Sequence, residues 1–163
     1  MDDRNRYTIA IIGGTGKEGK GLAYRWAKAG HRVIIGSRNE EKALAAVAEL
    51  QLQHSVSLEG MDNESAVKVC DIAAITVPYA AHRPTLEALK PHLQGKILVD
   101  VTVPLVPPKV TRVSMPSEGS AAQEAQAILG AETKVVAAFQ NISHERLMND
   151  EDVDCDVLVC GSG

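Results

Sequence analysis

The sequence predicts an α/β fold, a doubly wound parallel sheet of Rossmann type with helices on both faces. Three observations carry this reading. Short, nearly continuous apolar runs alternate with stretches of helical spacing, aromatic residues are scarce, and a glycine-rich turn stands between the first apolar run and the first helical stretch. A run that is apolar at every position suits a strand covered on both faces, because each side chain then meets a helix. With one Phe, one Trp and three Tyr, the core must come from Ala, Val, Leu and Ile, the residues that fill such strands.

Tyr7 to Ile12 reads as a buried first strand that runs into Gly13 to Gly16. From Lys17 to Ala29 the residues Gly21, Leu22, Trp26 and Ala29 keep helical spacing, and Gly30 ends the helix as a C-terminal cap. Arg32 to Gly36 is the second strand. Ser37 or Asn39 caps a helix to about Leu52, in which Ala43, Ala46, Val47 and Leu50 share a face. A weak strand at Val56 to Leu58, a helix at Asn63 to Val69, a strand at Ile72 to Val77, a helix at Ala80 to Leu93 and a strand at Ile97 to Val101 continue the alternation.

Thr102 to Ser117 breaks the rhythm, because Pro104, Pro107, Pro108 and Pro116 forbid a regular helix or central strand. After this loop come a helix at Ser120 to Leu129, a strand at Lys134 to Phe139, a helical turn at Ser143 to Met148 and a last strand at Asp156 to Cys160. The alternation calls for one more helix at that point, so a truncated C-terminal part is expected. The whole chain, 1–163, reads as a single domain, with 102–163 forming the acceptor side of its crevice.

At 163 residues, with 45% apolar content and a formal charge of -4, the chain is long enough for a core and lacks a basic field for nucleic acid. It contains no run of the roughly 20 apolar residues that a membrane span needs, and its start has no signal-peptide pattern. A cytoplasmic setting is the expectation. Cys70, Cys155 and Cys160 lack metal-finger spacing and read as buried small apolar groups. His31, His54, His82, His92 and His144 are scattered without ligand spacing and read as solvent-facing or turn residues. Asp100 closes a strand and reads as a cap for the loop after it, and Asn149 to Asp152 as a solvated connector.

Gly14-Thr15-Gly16-Lys17-Glu18-Gly19 matches G-x-G-x-x-G, with a strand before it, a helix after it and a second strand about twenty residues on. The first Gly permits the tight turn, the second lets backbone approach a pyrophosphate, and the third allows helix to pack on strand. Free N–H groups at the helix start then face the anion. A plain tight turn is the bland alternative. At the end of strand two, where NAD sites usually carry Asp or Glu, stand Gly36-Ser37-Arg38 and then Lys42. A carboxylate repels a 2′-phosphate, whereas Ser donates a hydrogen bond, Arg a planar fork and Lys a point charge. NADP(H) is therefore favoured over NAD(H). The competing view makes Arg38 and Lys42 members of an ordinary solvated face.

Gly13-Gly14-Thr15-Gly16, Gly19, Gly36-Ser37-Arg38 with Glu41-Lys42-Ala43, Thr76-Val77-Pro78, Pro104-Leu105-Val106-Pro107, Ser120-Ala121-Ala122 and the Val159-Cys160-Gly161 end together resemble the NADPH-dependent F420 reductase family. The resemblance implies reversible hydride transfer between NADP(H) and the deazaflavin coenzyme F420, a small-molecule redox carrier. It implies that Thr15, Ser37, Arg38 and Lys42 hold the NADP phosphates, with Lys17 and Glu18 beside them, and that Thr76, Val77 and Pro78 line the path to the nicotinamide. Val103, after the strand ending at Val101, lies at the same carboxyl edge. Gln140 and Asn141 are candidate polar orienters there, with a capped turn as the equal alternative. No side chain is expected to act as acid or base, because both carriers bring the reactive carbons and the protein stacks their rings.

Two departures stand out. Family members often carry Trp where Tyr79 stands, and a His-Thr pair where Gln140-Asn141 stands. The second change lies close to where the deazaflavin ring should rest. Separately, the alternatives are a reductase module acting on a flavin or metal acceptor, and a non-catalytic NADP(H)-sensing domain, which a missing C-terminal region would permit. An uncovered last strand around Val157 and Val159 would expose apolar side chains, so a homodimer is expected.

Overall fold

A computed structural model describes residues 6–106, 108 and 112–161; Pro107, within the proline loop, lies outside the described residues. The elements in chain order are β1 (Thr8–Ile12), α1 (Lys17–Lys28), β2 (Arg32–Ser37), α2 (Glu40–Gln53), β3 (Glu59–Asp62), α3 (Asn63–Val69) and β4 (Ile72–Ile75). They continue with α4 (Tyr79–Leu93), β5 (Ile97–Asp100), α5 (Ala121–Leu129), β6 (Lys134–Ala137), α6 (His144–Leu147) and β7 (Cys160–Gly161). The sheet order is β3-β2-β1-β4-β5-β6-β7. The pairs from β3 to β6 are all parallel, and the chain reverses its direction of travel across the sheet between β1 and β4. The predicted doubly wound α/β fold is the one observed.

Period-two alternation with a helix layer on each face explains why the central strands are mostly apolar. Ala10 and Ile12 of β1 join Ile34, Ile75 and Leu98 in one core layer, which Val67, Leu86, Leu93 and Leu129 cover from α3, α4 and α5. Ile11, between them, faces the opposite layer with Val33 and Ile35, where Leu22, Ala43, Leu50 and Leu147 from α1, α2 and α6 pack. Asn39 supplies the cap of α2, its side-chain oxygen accepting from Lys42 N–H. Ser120 caps α5 in the same way.

Two strands differ from expectation. β3 is not Val56 to Leu58 but the polar segment Glu59–Asp62, an edge strand that pairs on one side only. The apolar residues before it pack inward, with Leu58 buried, while Gly60 lets the α2 backbone approach; a Cβ there would lie 2.9 Å from the Ala43 carbonyl carbon. The last strand is not Asp156 to Cys160 but the two residues Cys160–Gly161, antiparallel to β6 through Ala137↔Cys160 and Val136↔Gly161. Past Ala137 the ladder to β5 goes on for one more bond, from Ala138 N–H to Asp100 O at 3.2 Å. Phe139 then takes φ 68°, the left-handed region that an aromatic residue rarely adopts. Leu158 and Val159 are left 76% and 66% exposed.

Two smaller expectations are corrected as well, and a third gains detail. Of the cysteines only Cys70 is buried; Cys155 and Cys160 are exposed on the C-terminal segment. His82 is not at the surface but fully buried in α4, 2.8 Å from Asp100. The stretch Asn149 to Asp152 is exposed, as expected of a solvated connector, and is anchored to α1. Asp150 accepts from Tyr24 and Lys28, and the Arg25 guanidinium donates to the carbonyls of Arg146, Leu147, Asn149 and Glu151.

Candidate functional site

A cleft of about 520 Å³ opens at the carboxyl edge of the sheet, across the point where the strand order reverses. In open α/β sheets this is where ligands bind, since the loops on either side diverge and leave a crevice. Its floor is the turn from β1 to α1. Gly14 N–H is shared between Ile11 O at 3.1 Å and Gly36 O at 2.9 Å, and Gly13 N–H goes to the Asn63 side-chain oxygen at 3.2 Å. Those bonds pull the turn tight against β2 and α3. The first N–H groups of α1 have no carbonyl within the helix to accept them, and they point out at the cleft beside the positive end of the helix dipole.

The glycines of the turn divide into two kinds. A Cβ on Gly14 would lie 2.9 Å from Ile11 O, and one on Gly19 would lie 2.6 Å from the Gly14 Cα. Both are therefore required by the fold itself, and neither lines the cleft. Gly16 is different. Its Cβ would meet nothing nearer than Gly13 O at 4.0 Å, so a side chain there would stand in the open cleft and not in the protein. This is the geometry expected where backbone must come close to a pyrophosphate, and the residues fit a dinucleotide on that ground.

Thr15, Gly16, Lys17 and Glu18 line one wall; Ser37, Arg38 and Lys42 line the end beside β2; Thr76, Val77, Pro78 and Val103 line the far side. Ser37 is buried, and its hydroxyl oxygen accepts from Asn39 N–H at 3.3 Å, which leaves the hydroxyl proton available to an acceptor in the cleft. Arg38 and Lys42 are exposed at the lip. Thr76 is fixed: its N–H and its hydroxyl both donate to Ile12 O, at 3.0 and 3.1 Å, tying the end of β4 to the end of β1.

Lys17, Arg38 and Lys42 give the lining three cations against one carboxylate, Glu18, a balance suited to an anionic ligand. One Glu18 carboxylate oxygen is buried with no hydrogen-bond partner among the described residues, and burial raises its carboxyl above the ordinary range.

Gln140 and Asn141 do not line the cleft. Gln140 donates to Asp100 O at 2.8 Å and Asn141 to Asp156 O at 3.0 Å, so both amides brace the turn after β6. Tyr79 donates to Glu124 at 2.9 Å; burial, and then that hydrogen bond, push its phenol up. Two residues that sequence reasoning missed stand at the centre. Asn63 is 8% exposed and bridges the turn and α3; a Cβ on Gly36 would lie 2.8 Å from its side-chain oxygen. Thr102 lines the far side, 7% exposed, with its hydroxyl unpartnered among the described residues. The Asn63 pairing and the Thr102 burial both come from tertiary packing, and neither residue carries a spacing signal.

Among the described residues no group of three or more His, Cys, Asp or Glu is placed to hold a metal ion, and no helix is long and apolar enough to cross a membrane.

The family model described as NADP oxidoreductase, coenzyme F420-dependent, matches residues 8–104, more than half of the chain. The chain is 44% identical to the F420-dependent NADP reductase of Methanocaldococcus jannaschii, over 94% of this chain and 72% of that protein. It is 43% identical to the F420-dependent NADP reductase of Methanothermobacter thermautotrophicus, over 93% of this chain and 68% of that protein. Among solved structures, a putative F420-dependent NADP reductase from Arthrobacter sp. FB24 superposes with a TM-score of 0.78 at 26% identity, over 96% of this chain and 74% of that one. The turn, the cleft and these relatives lead to one assignment: the chain belongs to the family of coenzyme F420-dependent NADP oxidoreductases.

Proposed function

We propose that this protein is an oxidoreductase that transfers hydride between NADP(H) and coenzyme F420, working in the cytoplasm as a homodimer. The observation that carries the reading is the open Cβ position of Gly16 in a turn whose other glycines are closed off by the protein, at the head of a helix and beside three cationic side chains. Family membership supplies the acceptor: the curated relatives are F420-dependent NADP reductases.

In this reading the backbone of Thr15 to Glu18, with the Thr15 hydroxyl, receives the pyrophosphate, and Gly14 and Gly19 hold that backbone in place. Ser37, Arg38 and Lys42 receive the 2′-phosphate by charge-assisted hydrogen bonds, which are stronger than those to a neutral hydroxyl. Thr76, Val77, Pro78 and Val103 form the wall against which a nicotinamide ring lies. When bound, NADP(H) supplies the carbon that gives or takes the hydride, and the protein's share is to hold two ring systems at reacting distance and exclude water. Residues 102–163 form the acceptor side. Leu105, Val106, Val113 and Met115, all exposed, offer apolar surface there.

The proposal is tested by mixing the protein with NADPH and F420 and following deazaflavin absorbance. Turnover is expected with NADPH and not with NADH. Arg38→Ala should weaken NADPH binding roughly 10- to 100-fold, the usual worth of a hydrogen bond to a charged group, and leave NADH binding unchanged. A variant that keeps its preference for NADPH removes Arg38 from the phosphate site.

A pH dependence follows from Glu18. Its carboxyl is raised in the folded protein, so the folded state holds its proton more tightly than the unfolded chain does. Stability from this group is therefore present at low pH and lost as pH rises through the raised value. Glu18→Gln should melt with wild type near pH 4 and above it at neutral pH; equal melting temperatures at both would place the carboxylate in water.

The homodimer rests on the exposed Leu158 and Val159 beside the two-residue β7, since monomers rarely leave such patches uncovered. Light scattering should give twice the 17.4 kDa chain mass. A monomer at high micromolar concentration contradicts it.

A further inference from the structure

Thr102 is 7% exposed, and its buried hydroxyl oxygen has no hydrogen-bond partner among the described residues. Yet the residue lines the cleft. A buried hydroxyl without a partner is costly to a fold, because the water it gave up is not replaced. Such a group is retained where something outside the protein completes it.

Its position is held firmly. Thr102 N–H donates to the Asp100 carboxylate at 2.9 Å, and the other Asp100 oxygen lies 2.8 Å from His82 Nε2. His82 and Asp100 are both fully buried, and Glu124, 4% exposed, lies 3.9 Å from the second His82 nitrogen. Gln140 ties down the Asp100 carbonyl at 2.8 Å. Thr102 therefore sits on a braced strand end and not on a mobile loop.

The sheet order tells which part of a ligand it meets. Ser37 and Arg38 follow β2, the Gly13 to Gly16 turn follows β1, and Thr102 follows β5, with β4 between. Three strand spacings separate the β2 end from the β5 end, roughly 14 Å at about 4.8 Å each. A dinucleotide whose pyrophosphate lies over the β1 turn and whose 2′-phosphate lies at Arg38 must extend its other end over β4 and β5. That end is the nicotinamide, whose carboxamide carries one acceptor oxygen and one donor NH2 group. A threonine hydroxyl can donate to the first or accept from the second. Val77 and Val101, which also line this part of the cleft, offer no polar group from their side chains.

We propose that the Thr102 hydroxyl anchors the nicotinamide carboxamide of NADP(H) and so fixes which ring face is presented to the acceptor. This rests on the NADP(H) reading above. Deleting the hydroxyl removes a contact that only the nicotinamide end makes, and in the free protein it removes a group with no partner.

Calorimetric titration of wild type, Thr102→Val and Thr102→Ser with two ligands tests it: NADPH, and 2′-phospho-ADP-ribose, which has the same phosphates and no nicotinamide. Thr102→Val should bind NADPH roughly 5- to 20-fold more weakly, in the range of one lost hydrogen bond in a buried site, and bind 2′-phospho-ADP-ribose as wild type does. Thr102→Ser should restore NADPH binding. The melting temperature of ligand-free Thr102→Val should equal or exceed that of wild type, which a merely structural hydroxyl would not allow. Equal losses for both ligands, or no loss for either, overturn the anchor while leaving the cofactor reading intact. A wild-type protein that binds neither ligand overturns the cofactor reading and the anchor with it.

Discussion

The hydrogen bond from Gly14 N–H to Gly36 O, 2.9 Å long and shared with Ile11 O, is the contact on which the site depends. It joins the ends of β1 and β2 at the one place where the chain must turn out of the sheet and enter α1. Only a residue without a side chain can sit there, because a Cβ would meet Ile11 O at 2.9 Å. Once this bond and the Asn63 bond to Gly13 N–H are made, the start of α1 has one orientation. Its free N–H groups, its dipole and the open face of Gly16 then converge on the same small volume. Binding at such a turn costs little reorganisation, since the donors are set before any ligand arrives.

The far wall is set by a different kind of force. Asp100 and His82 Nε2 form a buried hydrogen bond of 2.8 Å, and Glu124, 3.9 Å from the unpartnered His82 Nδ1, is held by Arg83 at 2.8 Å from the surface and by Tyr79 at 2.9 Å. Networks of this sort are costly when incomplete and rigid when satisfied. They link α4, which begins at Tyr79 just after the cleft residue Pro78, to β5 and α5. The two walls of the cleft are thus fixed independently, one by backbone around glycine and one by buried side-chain polarity. For a reaction in which the protein mainly positions two carriers, fixed walls are the relevant property.

Much of this was readable in the sequence, and the failures share a cause. The first half was legible because apolar runs, glycines and caps are local signals: α3 falls at Asn63–Val69 as the pattern required, and the turn glycines occupy the places their spacing assigned. β3 and β7 were misplaced because edge strands need little apolar content and take their position from the neighbour they pair with. His82 was misread because its partner Asp100 lies 18 residues away on another element. Asn63 was missed for the same reason, since it pairs with Gly13 50 residues away, and Thr102 because its burial beside the cleft leaves no local pattern. Gln140 and Asn141, prominent in the sequence, turn out to brace backbone.

If the β1 to α1 turn receives a dinucleotide phosphate, Gly16→Val must block it. The branched side chain would project into the cleft from a Cβ that, chain neighbours apart, comes no nearer to the protein than Gly13 O at 4.0 Å. The variant should keep the circular dichroism spectrum and melting temperature of wild type, while its NADPH binding, read by fluorescence titration on the same sample, is weakened about 100-fold or more, by loss of several charge-assisted hydrogen bonds. A folded Gly16→Val protein that binds NADPH as wild type does would contradict it and reduce the turn to a purely structural one.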